Sequence, residues 1–80
     1  MYPRRAASRG IEGYVIVEFD ITPQGLVSSP RVIEAYPDNV FNPASLTAIL
    51  KFKYKPKVEN GQPIAVYGAR NKFTFELARS

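Results

Sequence analysis

Neither cysteine nor histidine occurs anywhere in the 80 residues. Without cysteine there is no disulfide staple, and thiol redox chemistry and zinc–thiolate sites are excluded. Without histidine the commonest general base and metal ligand is gone, so the lone serines have no imidazole to activate them. No Gly-rich phosphate loop is present. Long apolar runs are missing too: nothing approaches the roughly 20 residues that a membrane-spanning helix needs. Met1 is followed at once by YPRRAASRG, with no signal-peptide pattern. These absences argue against an enzyme and against a span within this stretch, and no cofactor or metal is expected. They do not separate a cytosolic protein from a domain cut out of a longer exported one.

What is present is one small domain, residues 1–80, whose core is so limited that every apolar face must be used. A net charge of +4 suggests an acidic partner, nucleic acid or membrane headgroups, although a basic solvated surface is the plainer account.

The chain is organised around Gly13 to Thr22, GYVIVEFDIT. Val15, Val17, Phe19 and Ile21 recur at every second position, with Glu18 and Asp20 opposite, while Tyr14 and Ile16 keep part of that second face apolar. This period predicts a half-buried strand. A helix would scatter the four apolar residues and bring Glu18 near the core. Ahead of the strand, Tyr2 to Arg9 predicts a short helix, with Pro3 at its first position, Gly10 closing it, and Arg4, Arg5 and Arg9 in solvent. Behind it, Thr22-Pro23-Gln24-Gly25 predicts a type I turn, with Gly25 at the positive φ of a bulge. The returning strand is expected from Leu26 to Ala35. Val27 and Val32 are five apart and share a face only if a bulge falls in Ser28-Ser29-Pro30. Pro30 lacks an N–H and confines this strand to an edge.

A loop follows from Tyr36 to Val40, and Phe41-Asn42-Pro43 opens the clearest helix. Asn42 is predicted as N-cap and Pro43 as the first helical residue, with Phe41 and Leu46 as a hydrophobic staple. Asn42→Ala is expected to cost about 1 kcal/mol. Leu46, Ile49 and Leu50 form the predicted core stripe, with Ala48 small enough for close approach. Lys51 and Lys53 are placed in the last turn, and Pro56 ends the helix. Glu59-Asn60-Gly61-Gln62-Pro63 is a turn cluster; whether Ile64 to Val66 forms a strand of its own is left open. Then Tyr67, Ala69, Asn71, Phe73, Phe75 and Leu77 alternate with Gly68, Arg70, Lys72, Thr74 and Glu76. That predicts a third strand, antiparallel to the first, with Arg70 and Lys72 sharing an open face with Glu18 and Asp20. Such pairs contribute some tenths of a kcal/mol each. The expected fold is α+β: a three-stranded antiparallel sheet in the order second-first-third, with both helices on one face.

This order leaves the outer side of the third strand unpaired and without proline. Open edges are templates for another strand. The edge either merely resists aggregation or is covered by the chain terminus, or it docks an extended peptide by strand addition.

Several motifs in order carry a family likeness. They are Tyr2-Pro3, Gly10-Ile11-Glu12-Gly13, Val15-x-Val17-x-Phe19, Thr22-Pro23-x-Gly25-x-Val27, Phe41 with Ala48, Phe52-Lys53-Tyr54-Lys55-Pro56, and Phe73-x-Phe75-x-Leu77. In these the chain resembles the C-terminal domain of TonB, the energy transducer of Gram-negative bacteria. Two departures stand out: Phe52 replaces the usual Trp, and the stretch from Val58 to Ala65 is longer than in well-known members. The resemblance implies a periplasmic domain, excised from a longer chain with an inner-membrane anchor and a proline-rich spacer. It implies binding to the TonB box and plug of outer-membrane TonB-dependent receptors, for uptake of siderophore-bound iron or vitamin B12, driven by the ExbB–ExbD motor. On matching positions, Arg70, Asn71, Lys72, Phe73, Thr74, Phe75 and Glu76 would pair with the box. Tyr2, Pro3 and Arg5 would lie near the receptor plug.

Three other readings remain. Lys51-Phe52-Lys53-Tyr54-Lys55-Pro56-Lys57 interleaves cations with aromatics, as single-stranded nucleic-acid binders do; a helix end with aromatics turned inward and lysines wet is the simpler account. Glu18 and Asp20 on one strand face resemble a catalytic carboxylate pair, but neighbouring Arg70 and Lys72 make ion pairs simpler. The open edge also suits a homodimer or a swapped dimer.

Overall fold

A computed structural model describes residues 2–78. Seven elements follow in order: α1 (Arg4–Ser8), β1 (Gly13–Ile21), β2 (Val27–Tyr36), α2 (Asn42–Ile49), β3 (Lys57–Glu59), β4 (Gln62–Ile64) and β5 (Val66–Phe75). The main sheet is antiparallel in the order β2-β1-β5, and β3 and β4 form a separate two-stranded hairpin. The expected order of the three long strands is therefore the observed one, with both helices contributing to the same covered face.

The period-two pattern of β1 is the reason. Val15, Val17 and Phe19 are buried and form one cluster with Ala6 of α1, Phe41, Ile49 of α2, and Phe73 and Phe75 of β5. Burying an aliphatic or aromatic side chain of this size contributes about 1.5–3 kcal/mol, so these few residues carry most of the stabilisation a chain this short can gather. The aromatic rings are coupled: Phe41 stacks on Phe75 at 4.3 Å, and Tyr2 meets both edge-on at 5.5 and 5.8 Å. The Tyr2 hydroxyl donates to the Ile11 carbonyl, which pins the N-terminal segment beside the start of β1.

The β1–β2 turn forms as the sequence predicts. Gly25 N–H donates to the Thr22 carbonyl at 2.8 Å, and Gly25 has φ +87°. Glycine is also needed because a Cβ there would sit 2.0 Å from the Tyr54 carbonyl, where the chain leaving α2 crosses beneath the turn. The predicted bulge is real: Asp20 pairs with Ser28 and Glu18 with Arg31, which leaves one extra residue on β2, and Ser29 has φ +50°. A second extra residue, unforeseen, lies between the pairs Ile16–Glu34 and Val17–Val32.

Several local expectations are corrected. Pro3 precedes α1 rather than opening it, and its carbonyl accepts the first helical bond, from Ala7. Asn42 is the first residue of α2, not its N-cap; Phe41 precedes the helix and no side chain caps it. The Asn42 amide instead turns back to the loop, accepting from Asn39 N–H and donating to Asp38. Because α2 ends at Ile49, Leu50 leaves the stripe and is 57 % exposed. The buried line is Phe41, Ser45 and Ile49, at helical spacing of four. Lys51 and Lys53 lie beyond the helix, Lys53 in an isolated bridge to Leu26. The stretch read as a turn cluster is a full hairpin, with Asn60 and Gly61 both at positive φ, as a tight two-residue hairpin turn requires.

Candidate functional site

β5 pairs with β1 along one side only; among the described residues no strand lies against its other side. Its register with β1 is one-to-one from Ala69–Phe19 to Phe75–Gly13. Only toward its start does it break, where one extra residue lies near Gly68, at φ +73°. That bulge corrects one expectation: Tyr67 does not join the covered face but is 78 % exposed.

The direction of the main chain along this edge follows from one bond. Thr22 N–H donates to the Leu26 carbonyl at 2.8 Å, so Thr22 addresses β2. Successive strand residues address opposite neighbours. Asp20, Glu18, Ile16 and Tyr14 therefore also address β2, and Phe19, Val17 and Val15 address β5. Their partners Ala69, Asn71 and Phe73 turn inward. The N–H and C=O groups left pointing outward belong to Arg70, Lys72 and Thr74. Of the predicted edge residues, Phe73 and Phe75 are core, Asn71 is half-buried, and Glu76 lies just past the strand end. Beyond it, Leu77 N–H donates to the Glu12 carboxylate at 2.7 Å, which fastens the chain after β5 next to the start of β1.

The open face over this edge is electrostatically organised. Glu18 accepts from Arg31 at 2.9 Å and from Arg70 at 3.1 Å, and Arg31 also reaches Asp20 at 3.3 Å. Asp20 takes a further bond from Gly68 N–H at 3.1 Å, which ties the β5 bulge to β1. Arg31 and then Arg70 hold the Glu18 carboxyl below its ordinary pKa; Arg31 and the Gly68 amide do the same for Asp20. Arg31 is the residue that sequence reading missed. It reaches Glu18 because the Ser29–Pro30 bulge shifts it into that register. Lys72 does not pair with a carboxylate but lies 4.7 Å over the Tyr14 ring, whose hydroxyl donates to Glu34.

The basic-aromatic run is resolved as well. Phe52 packs edge-on against Phe73 at 5.8 Å, and Tyr54 stacks on Phe19 at 5.7 Å, while the lysines between them are exposed. The rings that would stack bases are spent on the core.

The family model described as "Gram-negative bacterial TonB protein C-terminal" matches residues 1–77. The chain belongs to the TonB C-terminal domain family. It is 38 % identical over 79 residues to TonB of Pseudomonas aeruginosa, covering 99 % of this chain and 23 % of that protein. To TonB of Escherichia coli it is 40 % identical over 55 residues, covering 69 % of this chain and 23 % of that protein. It thus spans about a quarter of the length of these relatives. The solution NMR structure of the P. aeruginosa TonB C-terminal domain superposes with a TM-score of 0.84 at 35 % identity, covering 100 % of this chain and 80 % of that one. The TonB2 protein of Vibrio anguillarum gives 0.75 at 33 %, covering 99 % and 74 %. Among the residues for which TonB likeness suggests a role at the N-terminus, Tyr2 and Pro3 are half-buried. Tyr2 packs on Phe75, which brings this segment to the far end of β5. Arg5 is exposed and forms no ion pair among the described residues. No helix among the described residues is long and apolar enough to cross a membrane.

Proposed function

We propose that these residues are one domain, 1–80, of a longer TonB-type energy transducer, and that it works in the periplasm. There it binds the TonB box of an outer-membrane TonB-dependent receptor by adding the box as a strand along the outer edge of β5. An inner-membrane anchor and the ExbB–ExbD motor, both outside this stretch, supply the pull, and the cargo is siderophore-bound iron or vitamin B12. The observation that carries this is the unpaired, proline-free edge of β5, in regular register from Ala69 to Phe75. Arg70, Lys72 and Thr74 offer their main-chain groups; Tyr2, Pro3 and Arg5, at the end where Tyr2 meets Phe75, face the receptor plug.

Strand addition suits a mechanical coupling. Each backbone hydrogen bond is worth only about 0.5–1.5 kcal/mol net. When the load runs along the strands several must break together, so a short-lived complex still transmits force. A basic domain surface also speeds encounter with an acidic plug.

The test is a titration of a box peptide into the 80-residue chain, followed by NMR shift mapping. Lys72→Pro deletes an outward N–H and is expected to weaken binding about tenfold, whereas Glu34→Ala, on β2, leaves it unchanged. Phe73→Pro is the blunter probe, since it removes an inward N–H and a core ring together. Each fold is checked by its own spectrum. Unchanged affinity in a folded Lys72→Pro variant would count decisively against the edge.

A further inference from the structure

The chemistry of the β5 edge points to the pattern of the segment it selects, an inference that rests on the strand-addition reading above. The open face holds three carboxylates along the sheet, and each is already claimed. Glu18 and Asp20 bind Arg31, and Glu34 accepts from Tyr14. Toward the rim of this face two cations project, with the exposed Glu76 just past the strand end. Arg70 engages Glu18 through Nε at 3.1 Å, and its side chain is 63 % exposed. Lys72 rests on the Tyr14 ring and forms no ion pair with a carboxylate among the described residues. The two stand two residues apart on one face, at positions whose main chain points outward. A strand laid against them puts its own alternate residues opposite, on that same face, with Cβ atoms about 4.5–5.5 Å away.

The intervening residues of such a strand turn to the other face of the sheet, the one that α2 covers over β1 and β2. There Phe52 packs on Phe73 of β5 and also closes an open groove along α2, lined by Pro43, Ala44, Thr47, Ala48 and Lys51. This lining is mostly apolar and takes apolar side chains. We propose that the edge selects extended segments carrying carboxylates at two alternate positions, paired with Arg70 and Lys72, and apolar residues at the positions between. The discrimination is by face and not by total charge: an acid one residue out of step would be turned onto the apolar groove.

Capped nine-residue peptides test this against the 80-residue chain. One alternates valine with glutamate, one valine with lysine, one valine with serine, and one has the valine–glutamate composition in two blocks. The alternating glutamate peptide is expected to bind about tenfold more tightly than the lysine and block peptides. The double variant Arg70→Gln/Lys72→Gln is expected to reduce that preference to within about twofold. Lys55→Gln/Lys57→Gln, which makes the same charge change away from the edge, is expected to keep it. The inference is overturned if the preference survives in the first double variant, or if the block peptide matches the alternating one. The uncharged serine peptide separates this from its parent reading. If it shifts the amides of β5 and loses binding in Thr74→Pro while charge preference is absent, only the selection pattern falls. If no peptide perturbs β5, or the chain is a dimer through β5 that no peptide dissociates, both fall.

Discussion

β2 and β5 flank the same central strand and are built on opposite plans. β2 departs from regular pairing twice, carries Ser29 at φ +50°, and includes Pro30, which has no N–H to offer a neighbour. β5 keeps strict register from Ala69 to Phe75 and confines its one irregularity to the end near Gly68. Their roots differ as well. β5 sends Phe73 and Phe75 into the core, whereas no residue of β2 is fully buried. A strand whose outer side serves as a template has to be held straight from its inner side and from below. A strand that must refuse partners can be bent, and bulges and proline are how natural sheets do that.

The largest expected effect follows from the rooting. Phe73→Ala should cost about 3–5 kcal/mol, the usual range for emptying a buried phenylalanine site. Val32→Ala, half-buried on β2 and paired with Val17, should cost about 1 kcal/mol. Urea denaturation measures both, and similar costs would mean that β2 is rooted as firmly as β5. A smaller effect tests the refusal of partners. Deleting Ser29 and replacing Pro30 by Thr removes the first bulge and gives that part of β2 an N–H in place of proline, with the second irregularity near Ile33 left in place. The variant should self-associate at concentrations where the parent chain does not, seen in sedimentation velocity; an unchanged sedimentation profile would show that the bulge does not guard this edge.

Much of this contrast is legible in the residues. Val15, Val17 and Phe19 announce β1 by period, Pro30 marks its strand as an edge, and the mismatch of Val27 with Val32 locates the first bulge. Those are local properties of the backbone. What escaped depends on distant partners. Asn42 has every attribute of a cap, yet its amide is drawn to Asp38 and Asn39 across the loop. Leu50 looked like core, but the chain tightens after Ile49, with Lys51 bonding to the Ala48 carbonyl and Phe52 to that of Ile49, and this swings Leu50 outward. Ser45 took a core place that composition would give to an aliphatic residue, and its hydroxyl is buried without a partner. For the candidate site, the vacant edge was readable from strand order and proline placement. Which alternate residues face outward was not, because that needs the single Thr22–Leu26 bond. Arg31 was invisible for a related reason: only the bulge brings it opposite Glu18.

The smallest effect concerns charge, where the two flanking strands meet on β1. Arg31 of β2 and Arg70 of β5 share Glu18, but Arg31 also holds Asp20 and is the less exposed, at 40 % against 63 %. Both carboxyls have folded pKa values below their ordinary ones, with Arg31 the first cause in each. A depressed carboxyl pKa stabilises the fold fully above the ordinary value, near 4, and the contribution is lost as pH falls through the folded value. Thermal midpoints should therefore be insensitive to these groups from pH 7 down to about 5 and decline below that. In Arg31→Gln the decline should be shallower, since Glu18 and Asp20 then titrate closer to their unfolded values. Arg70→Gln should flatten it less, because Glu18 keeps its bonds to Arg31 and Asp20 is untouched. Melting curves at stepped pH on the three chains measure this order. If Arg70→Gln flattened the acid limb more than Arg31→Gln, the network would be anchored from β5, and the Arg70 guanidinium, bonded to Glu18 through Nε, would be committed to the sheet rather than shared with a docked strand.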